Sequence, residues 1–393
     1  MGQSRTLRTP TWCWILLAVS ISAAFWIVWV EISRPAKVEL LPFNDSPPAW
    51  NGSYPHLVIS LLDSGSETTK FKSSIQDIVP TVRHDSPINE FEVDLHSGAF
   101  VLRQTDFFIP DSMPLSLTRT YRARETYGNT FDSLAFGVGT NHQYDVSPTG
   151  SRYPYTYMYL NLEDGRAIYF QRISKGTEFA DAVFRHDETS SEFFGAQIAW
   201  NGNGWTLNFR DGRSFVFPEN YNGKFFAQGA PIAMQDDSHH RIQLMRDKDR
   251  NLEKLISPAG HTITFKYDYA NRIVDAVDDA GCERKYSYDP SGHLETVADA
   301  SHVIYRFAYE QLNSTTGFDP YVMTSVMDGK GNMLIKNSYD SLGKITEQKL
   351  ANGEIYHYDY LFNMQFKMIG VIVTGPKGTT KLSFHNGIAT KNE

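Results

Sequence analysis

The sequence predicts an all-β protein built around a repetitive antiparallel sheet, and three observations carry that prediction. First, residues recur every 21 positions: Arg246-Asp247, Tyr267-Asp268, Tyr288-Asp289 and Tyr309-Glu310 stand in one register, followed in step by Leu252, Ile273 and Leu294. A fixed period of this length marks a repeat architecture whose single unit is too small to bury its own apolar face. Second, Asp164-Gly165 and Asp211-Gly212 each sit between alternating apolar runs. That is a strong hairpin signal, because the tight turn needs positive φ. Third, no stretch beyond Val30 carries a helical period.

The first ten residues hold Arg5 and Arg8 and no acid, and Trp12 to Val30 is then 19 residues without a charge. As a helix that run spans about 28 Å, close to the thickness of a hydrocarbon core. Nine strongly apolar residues in it contribute about −3 to −5 kcal/mol on an insertion scale, with no ionised side chain opposing. Trp12, Trp14, Trp26 and Trp29 lie towards the two ends, as interfacial aromatics do. The expectation is a cytoplasmic N-terminus at residues 1–11 and a transmembrane signal anchor at residues 12–30. A signal peptide cut after Ser22-Ala23-Ala24 is the competing reading; the apolar run continues six residues beyond Ala24, which suits an anchor better. Arg5 and Arg8 favour a cytoplasmic N-terminus, with Arg34 and Lys37 on the other side of the balance.

Residues 31–88 are rich in Pro, Ser, Asp and Thr and read as a tether, with one short strand expected at Leu57–Leu62. Residues 89–230 read as a β domain. Phe91–Leu95 alternates and His96-Ser97-Gly98 turns; Leu115–Tyr121 alternates again; the two Asp-Gly hairpins span Leu160–Phe170 and Trp205–Phe217. Residues 231–393 read as the repeats. Each unit has one strand of every-other apolar or aromatic residues, such as Ile263-Phe265-Tyr267 and Arg284-Tyr286-Tyr288. Turn residues follow, then a second strand near Ile273–Val277 or Leu294–Val297, then a second turn at Asp278–Gly281 or Asp299–Ser301. After Glu310 the spacing loosens, with a loop insertion expected at Asn313–Asp319. Tyr339-Asp340 and Tyr358-Asp359 then mark further units, and the last unit is incomplete. An array ending this way is expected to leave an open strand edge.

These units resemble the YD repeats of the rearrangement-hotspot (RHS) family. Upstream, Val93–Phe100, Thr105-Asp106-Phe107, Ile109-Pro110, Pro114–Tyr121 and Phe136-Gly137-Val138-Gly139 resemble the leading segment of the same family. The resemblance covers roughly residues 90 to 360. It implies an RHS-type β-shell, here partial and open, of the kind that encloses a C-terminal toxin domain. It also implies a further RHS-repeat or toxin polypeptide as partner, and a bacterial inner-membrane location with the large domain outside. The self-cleaving acidic residues of the family lie near the end of its shell, a region with no counterpart in this sequence.

The chemistry legible in the residues is sparse. Cys13 lies within the apolar run and cannot reach Cys282, so no intrachain disulfide or cysteine metal site is expected. Asp236-Asp237-Ser238-His239-His240 looks like a metal cluster, but the repeat register makes it a solvated turn. Phosphate loops, nucleophile elbows and zinc-protease signatures are absent from the sequence. The formal charge of −8 and scattered basic residues give nucleic-acid binding no electrostatic support. The expectation is a protein without enzyme activity, metal or cofactor. Tyr153, Tyr155, Tyr157 and Tyr159, spaced two apart, are expected on one exposed strand face, with Met158 and Leu160 inward. That row is the candidate carbohydrate-binding surface. Two functions therefore compete: a membrane-anchored structural part of a toxin-associated β-shell, and a surface ectodomain that binds carbohydrate or cells. A remnant of a truncated RHS gene is a third reading.

Overall fold

Alternating burial is the chain's dominant local property, and it yields strands. The computed structural model describes residues 92–123, 134–189, 191–220, 229–312, 321–385 and 388–391, and no α-helix occurs among them. The anchor at residues 12–30, the tether and the insertion at Asn313–Asp319 lie outside the described residues. Among the described residues no helix is long and apolar enough to cross a membrane.

Three strands form a separate sheet: β1 (Val101–Ile109), β2 (Leu115–Arg122) and β3 (Thr140–His142). The rest form one antiparallel sheet. Its first part is β4 (Ser147–Gly150), β5 (Tyr157–Asn161), β6 (Ala167–Arg172), β7 (Val183–Arg185), β8 (Gln197–Trp200), β9 (Gly204–Asn208) and β10 (Ser214–Pro218). It continues through β11 (Ala233–Gln235), β12 (Arg241–Arg246), β13 (Leu252–Ile256), β14 (Thr262–Tyr267), β15 (Ile273–Asp278), β16 (Glu283–Tyr288), β17 (Leu294–Ala298) and β18 (Val303–Gln311). It ends with β19 (Tyr321–Asp328), β20 (Met333–Tyr339), β21 (Ile345–Leu350), β22 (Ile355–Phe362), β23 (Met368–Gly375), β24 (Gly378–His385) and β25 (Ile388–Lys391).

From β4 to β25 each strand pairs with the next in sequence, and the strand order returns from β25 to β4 as a closed barrel. β10 and β11 pair through Phe215 and Met234, so the first hairpins and the repeats share one sheet. This corrects the partial, open shell expected from the sequence. β4 and β25 are the two ends of one twisted ribbon, and closure is the arrangement that leaves neither end as an unpaired edge.

Both Asp-Gly hairpins form where expected. Phe209 N–H donates to the Arg213 carbonyl across the second turn, with Gly212 at φ 87°. The segment Phe91–Leu95, expected as a strand, contributes among its described residues isolated bridges at Val93, which lies opposite Phe100, and at Asp94. Asp94 takes the chain away from extension: its carboxylate accepts from the His96 and Ser97 N–H groups and pairs with Arg122.

The repeat units share a device that the sequence does not display. In each, the register slips at the end of the first strand: between Lys266 and Tyr267, Ser287 and Tyr288, Ala308 and Tyr309, Ser338 and Tyr339. Such bulges re-aim the side chain beside them. The tyrosine hydroxyl then reaches back to the preceding unit. Tyr267 donates to the Leu252 carbonyl at 2.9 Å, Tyr309 to Leu294 at 2.9 Å and Tyr339 to Met323 at 2.6 Å, and Tyr288 donates to Ile273 in the same way. Asp268, Asp289 and Asp340 close the turn that follows by accepting backbone N–H groups four residues on.

The first and last units depart from this pattern. Arg246 stands at the tyrosine position and donates to the carbonyls of Tyr144 (2.7 Å) and Pro231 (3.1 Å). In the last unit the expected pair Tyr358-Asp359 is corrected. The bulge falls at Phe362, and Asn363 holds the turn by accepting from Gln365 and Lys367. Tyr358 is a buried core residue, and Tyr360 makes the backward bond, to Ile345 at 2.8 Å. Tyr360 stands 21 residues after Tyr339 and so keeps the repeat period; the Tyr358-Asp359 pair lies two residues too early, and extra residues after Tyr360 move the turn to Asn363.

We expect Tyr288→Phe, which deletes only the hydroxyl, to cost about 1 kcal/mol. A urea titration checks this; an unchanged midpoint would show that the backward bonds do not tie the units together.

Candidate functional site

The inner sheet β1–β3 meets both the first hairpin and the repeat strands, and so joins the two parts of the barrel. All eight residues of β2 are buried. A strand whose Ser, Thr and Arg side chains are all covered must be sandwiched, and two polar clusters show how.

On one side, Arg119 donates to Asp106 at 2.5 and 2.9 Å and to Gln104 at 3.0 Å, while the Tyr286 hydroxyl donates to Asp106 at 2.8 Å. Asp106 is the extra residue of a β1 bulge between Thr105 and Phe107, which aims its carboxylate at the repeats. Phe136, Tyr286 and Phe307 surround the Arg119 guanidinium at 5.8 to 5.9 Å. Burial opposes its charge, but Asp106 holds it firmly protonated. Beside it, Phe136 packs edge-on to Tyr286 at 4.8 Å. Gly137 (φ 82°) lets the chain approach the β16–β17 turn: an added Cβ would lie 2.3 Å from the Gly292 carbonyl, which accepts from Val138 N–H.

On the other side, Arg122 bonds Asp94 and Ser97 and lies 3.8 Å from Asp164 in the first hairpin turn, where Asp164 also meets Arg166 at 2.9 Å. Thr120 donates to Glu163 at 3.4 Å. Burial raises the pKa of both neighbouring carboxyls; the charge of Asp164 raises Glu163 further, while Arg122 and Arg103 oppose the shift at Asp164. Burial also pushes Glu92 up to about 7, against the pull of Arg103. For Asp94, burial is outweighed by Arg122 and the bonds from Ser97, which together hold its pKa below the usual value.

The structure divides the expected tyrosine row. Met158 and Leu160 are inward as expected, and Tyr157 and Tyr159 are exposed on β5. Tyr155 is corrected: it is buried at 4 % exposure, close to Phe179 and Trp205. β5 begins only at Tyr157, because Ser151 closes a turn by accepting from the Thr156 and Tyr157 N–H groups, so the two-residue period does not reach back to Tyr153 and Tyr155. Half-buried Tyr169 on β6, opposite Tyr159, packs beside this exposed pair, with ring centroids 5.4 Å from Tyr159 and 6.0 Å from Tyr157. The cross-strand alternation of the Asp-Gly hairpin was the signal for it.

Asp236 and His240 form the same turn as the repeats, with Asp236 accepting from Ser238, from His240 N–H and at 2.8 Å from the His240 ring. No group of metal-ligating side chains occurs among the described residues.

A family model described as a domain of unknown function (DUF6531) matches residues 91–170, which hold β1 to β6. No curated protein matches the chain. Among solved structures, that of TcdB2-TccC3-Cdc42 is similar at 13% identity and TM-score 0.30, over 78% of this chain and 20% of that one. That of TcdB2-TccC3 is similar at 12% and 0.30, over 81% and 21%. The Tc holotoxin pore of Photorhabdus luminescens is similar at 11% and 0.19, over 81% and 20%. This chain spans about a fifth of the length of those chains.

The buried carboxyls set a pH dependence. In the unfolded chain Glu92 and Glu163 titrate near 4.5; folded, both hold their protons to higher pH, Glu92 to about 7. Between those values the folded state binds protons the unfolded state has lost, so stability falls as pH rises through about 4.5 to 7 and beyond. Asp94 acts in the opposite sense at acid pH below this window, and buried His142, whose pKa burial lowers from 6.5, opposes the fall up to about pH 6.5, so the two glutamates dominate above it. We expect the melting temperature to drop between about pH 5 and pH 8, by the equivalent of roughly 2–4 kcal/mol, and Glu163→Gln to flatten that drop. Melting that rises over this range would contradict the assignment.

Proposed function

We propose that this chain is a non-enzymatic, membrane-tethered structural piece of an RHS-type β-shell, working alongside a further repeat-bearing or toxin polypeptide. The observation that carries the reading is the ladder of backward tyrosine bonds, which makes each unit hold the one before it and stiffens a curved wall. The wall's interior is not vacant: the inner sheet and the aromatic core of β4–β10 join the repeats in one buried cluster. A chain filled by its own residues suits the sealed end of a shell, or a display platform, better than a container for cargo. The carboxylates of the repeat turns accept backbone N–H groups, and the His240 and His293 rings pair with those same carboxylates, which supports a scaffold over a catalyst. On this reading residues 12–30 anchor the protein in the bacterial inner membrane, N-terminus inside.

A second reading, a carbohydrate-binding face, is favoured by the exposed Tyr157 and Tyr159 with half-buried Tyr169 against them, since stacked rings on an outer sheet suit sugar faces.

The full chain, extracted in mild detergent from cells expressing it at native level, is expected to migrate as a complex with a second polypeptide carrying repeats or a toxin domain. Migration as a lone chain would contradict the shell reading. Glycan binding lost on Tyr157→Ala with Tyr169→Ala would favour the second.

A further inference from the structure

The barrel's two rims differ in kind. Turns that follow the even-numbered strands β12 to β22 lie on one rim, and turns that follow the odd-numbered strands β13 to β23 lie on the other. On the first rim, three turn tips carry four large apolar side chains in open solvent: Tyr269 at 98%, Leu342 at 51%, and Met364 at 101% with Phe366 at 89% exposure on the same turn. On the second rim, the exposed large apolar residues are Met333 at 41% and Ile355 at 38%, both on strand ends rather than tips.

Phe366 adds a second oddity. It sits at φ 58°, a left-handed conformation that the matching turn positions give to Asn271, Gly292 and Gly343. A bulky ring is unfavourable there, and inside the described body it packs on nothing that would offset this.

The tips' arrangement selects their partner. They fall at two places on the rim: the Leu342 turn and the Met364–Phe366 turn are neighbours, and the Tyr269 and Phe366 turns are eight strands apart along the sheet. At a strand spacing of about 4.8 Å that is roughly 40 Å, too far for one small ligand or one groove. A fluid plane can bury all four at once. The acids of these turns do not oppose it, because Asp268 and Asp340 fold back to accept N–H groups within their own turns. The same rim is where the N-terminal region joins the body: Glu92 pairs with Val101 at the start of β1, and the Gly98 carbonyl accepts from Ile345, just after the Leu342 turn. The uncharged run Trp12–Val30 precedes that junction in the chain.

We infer that this rim is a lipid-facing surface, and that Tyr269, Leu342, Met364 and Phe366 dip into the interface of the bilayer that holds the N-terminal anchor. The body then stands end-on, with the opposite rim pointing away. This rests on the tether reading of residues 12–30 and adds an orientation to it; interfacial insertion of Tyr, Phe and Leu is the expected behaviour of such side chains.

The test uses the full chain in vesicles of phosphatidylethanolamine and phosphatidylglycerol. Exposed Cys282, in the β15–β16 turn of the far rim, is labelled with an environment-sensitive fluorophore in a Cys13→Ser chain. Tyr269→Cys, Leu342→Cys and Phe366→Cys carry the label instead when Cys282→Ser is added. Lipids with brominated acyl chains should quench the three near-rim labels severalfold more than the Cys282 label. Equal quenching at both rims, or none at the near rim, would overturn the inference.

A check on the unsubstituted chain is oxidation by the anionic reagent chloramine-T. Met364 should react severalfold more slowly in vesicles than in detergent, while Met333 is unchanged; unprotected Met364 would overturn the inference by itself. Retention after an alkaline wash reads the tether independently. Chains retained with unquenched tips defeat the rim alone, whereas chains released by the wash defeat the tether reading as well. Tips shielded from chloramine-T but not quenched by brominated lipid would assign the rim to a protein partner and reject the lipid.

Discussion

A buried guanidinium is the constraint on which the structure turns. Stripping water from Arg119 costs several kcal/mol, and the cost is met only if partners converge on it from more than one element. They do: Asp106 comes from the neighbouring strand of the inner sheet through a bulge, and Tyr286 comes from a repeat strand more than a hundred residues away. Because Tyr286 donates to the same carboxylate that Arg119 binds, the inner sheet and the repeat wall share one polar centre. The inner sheet cannot shift against the wall without leaving a charge uncompensated in an aromatic pocket.

The repeats supply the other half of the logic. A two-stranded unit has an apolar face and nothing to cover it, so it gains stability only from neighbours. The backward tyrosine bonds make that dependence directional, each tyrosine gripping the start of the preceding unit's second strand, its first residue at Leu252, Ile273 and Leu294 and its third at Met323. Where the tyrosine is replaced, as at Arg246, the side chain instead grips the linker that leads out of the inner sheet. The array is thus tied to its interior at its beginning through Arg246, in its middle through Tyr286 and near its end through Lys344 and Gly98.

Much of this was legible in the residues, and the failures have physical causes. The 21-residue period located strands and turns from Ile242 to Tyr309, because every unit there has the same length. In the last unit the period still leads from Tyr339 to Tyr360, but the Tyr358-Asp359 pair misleads, and extra residues after Tyr360 place the turn at Asn363. The bulge at each repeat tyrosine left no trace, since a register slip changes pairing without changing the order of residue types. Ser116, Thr118 and Thr120 look like a solvent face and are buried, because a second layer of the same chain covers them. The tyrosine row failed at Tyr155 for a related reason: alternation predicts a face only while the strand lasts. Closure of the ribbon lies outside any local pattern, as it depends on twist summed over many strands.

The asymmetry of the rims and the filled interior follow from one geometry, an up-and-down barrel wrapped on its own N-terminal sheet. Native-state hydrogen exchange tests that geometry most directly. If the inner sheet is the centre of the fold, the amides of Thr118 to Tyr121 exchange only through global unfolding, with the same opening free energy as those of Phe265 and Tyr286. Faster, independent exchange of β2 would show a sheet that comes and goes inside a wall able to stand without it, and would contradict the account.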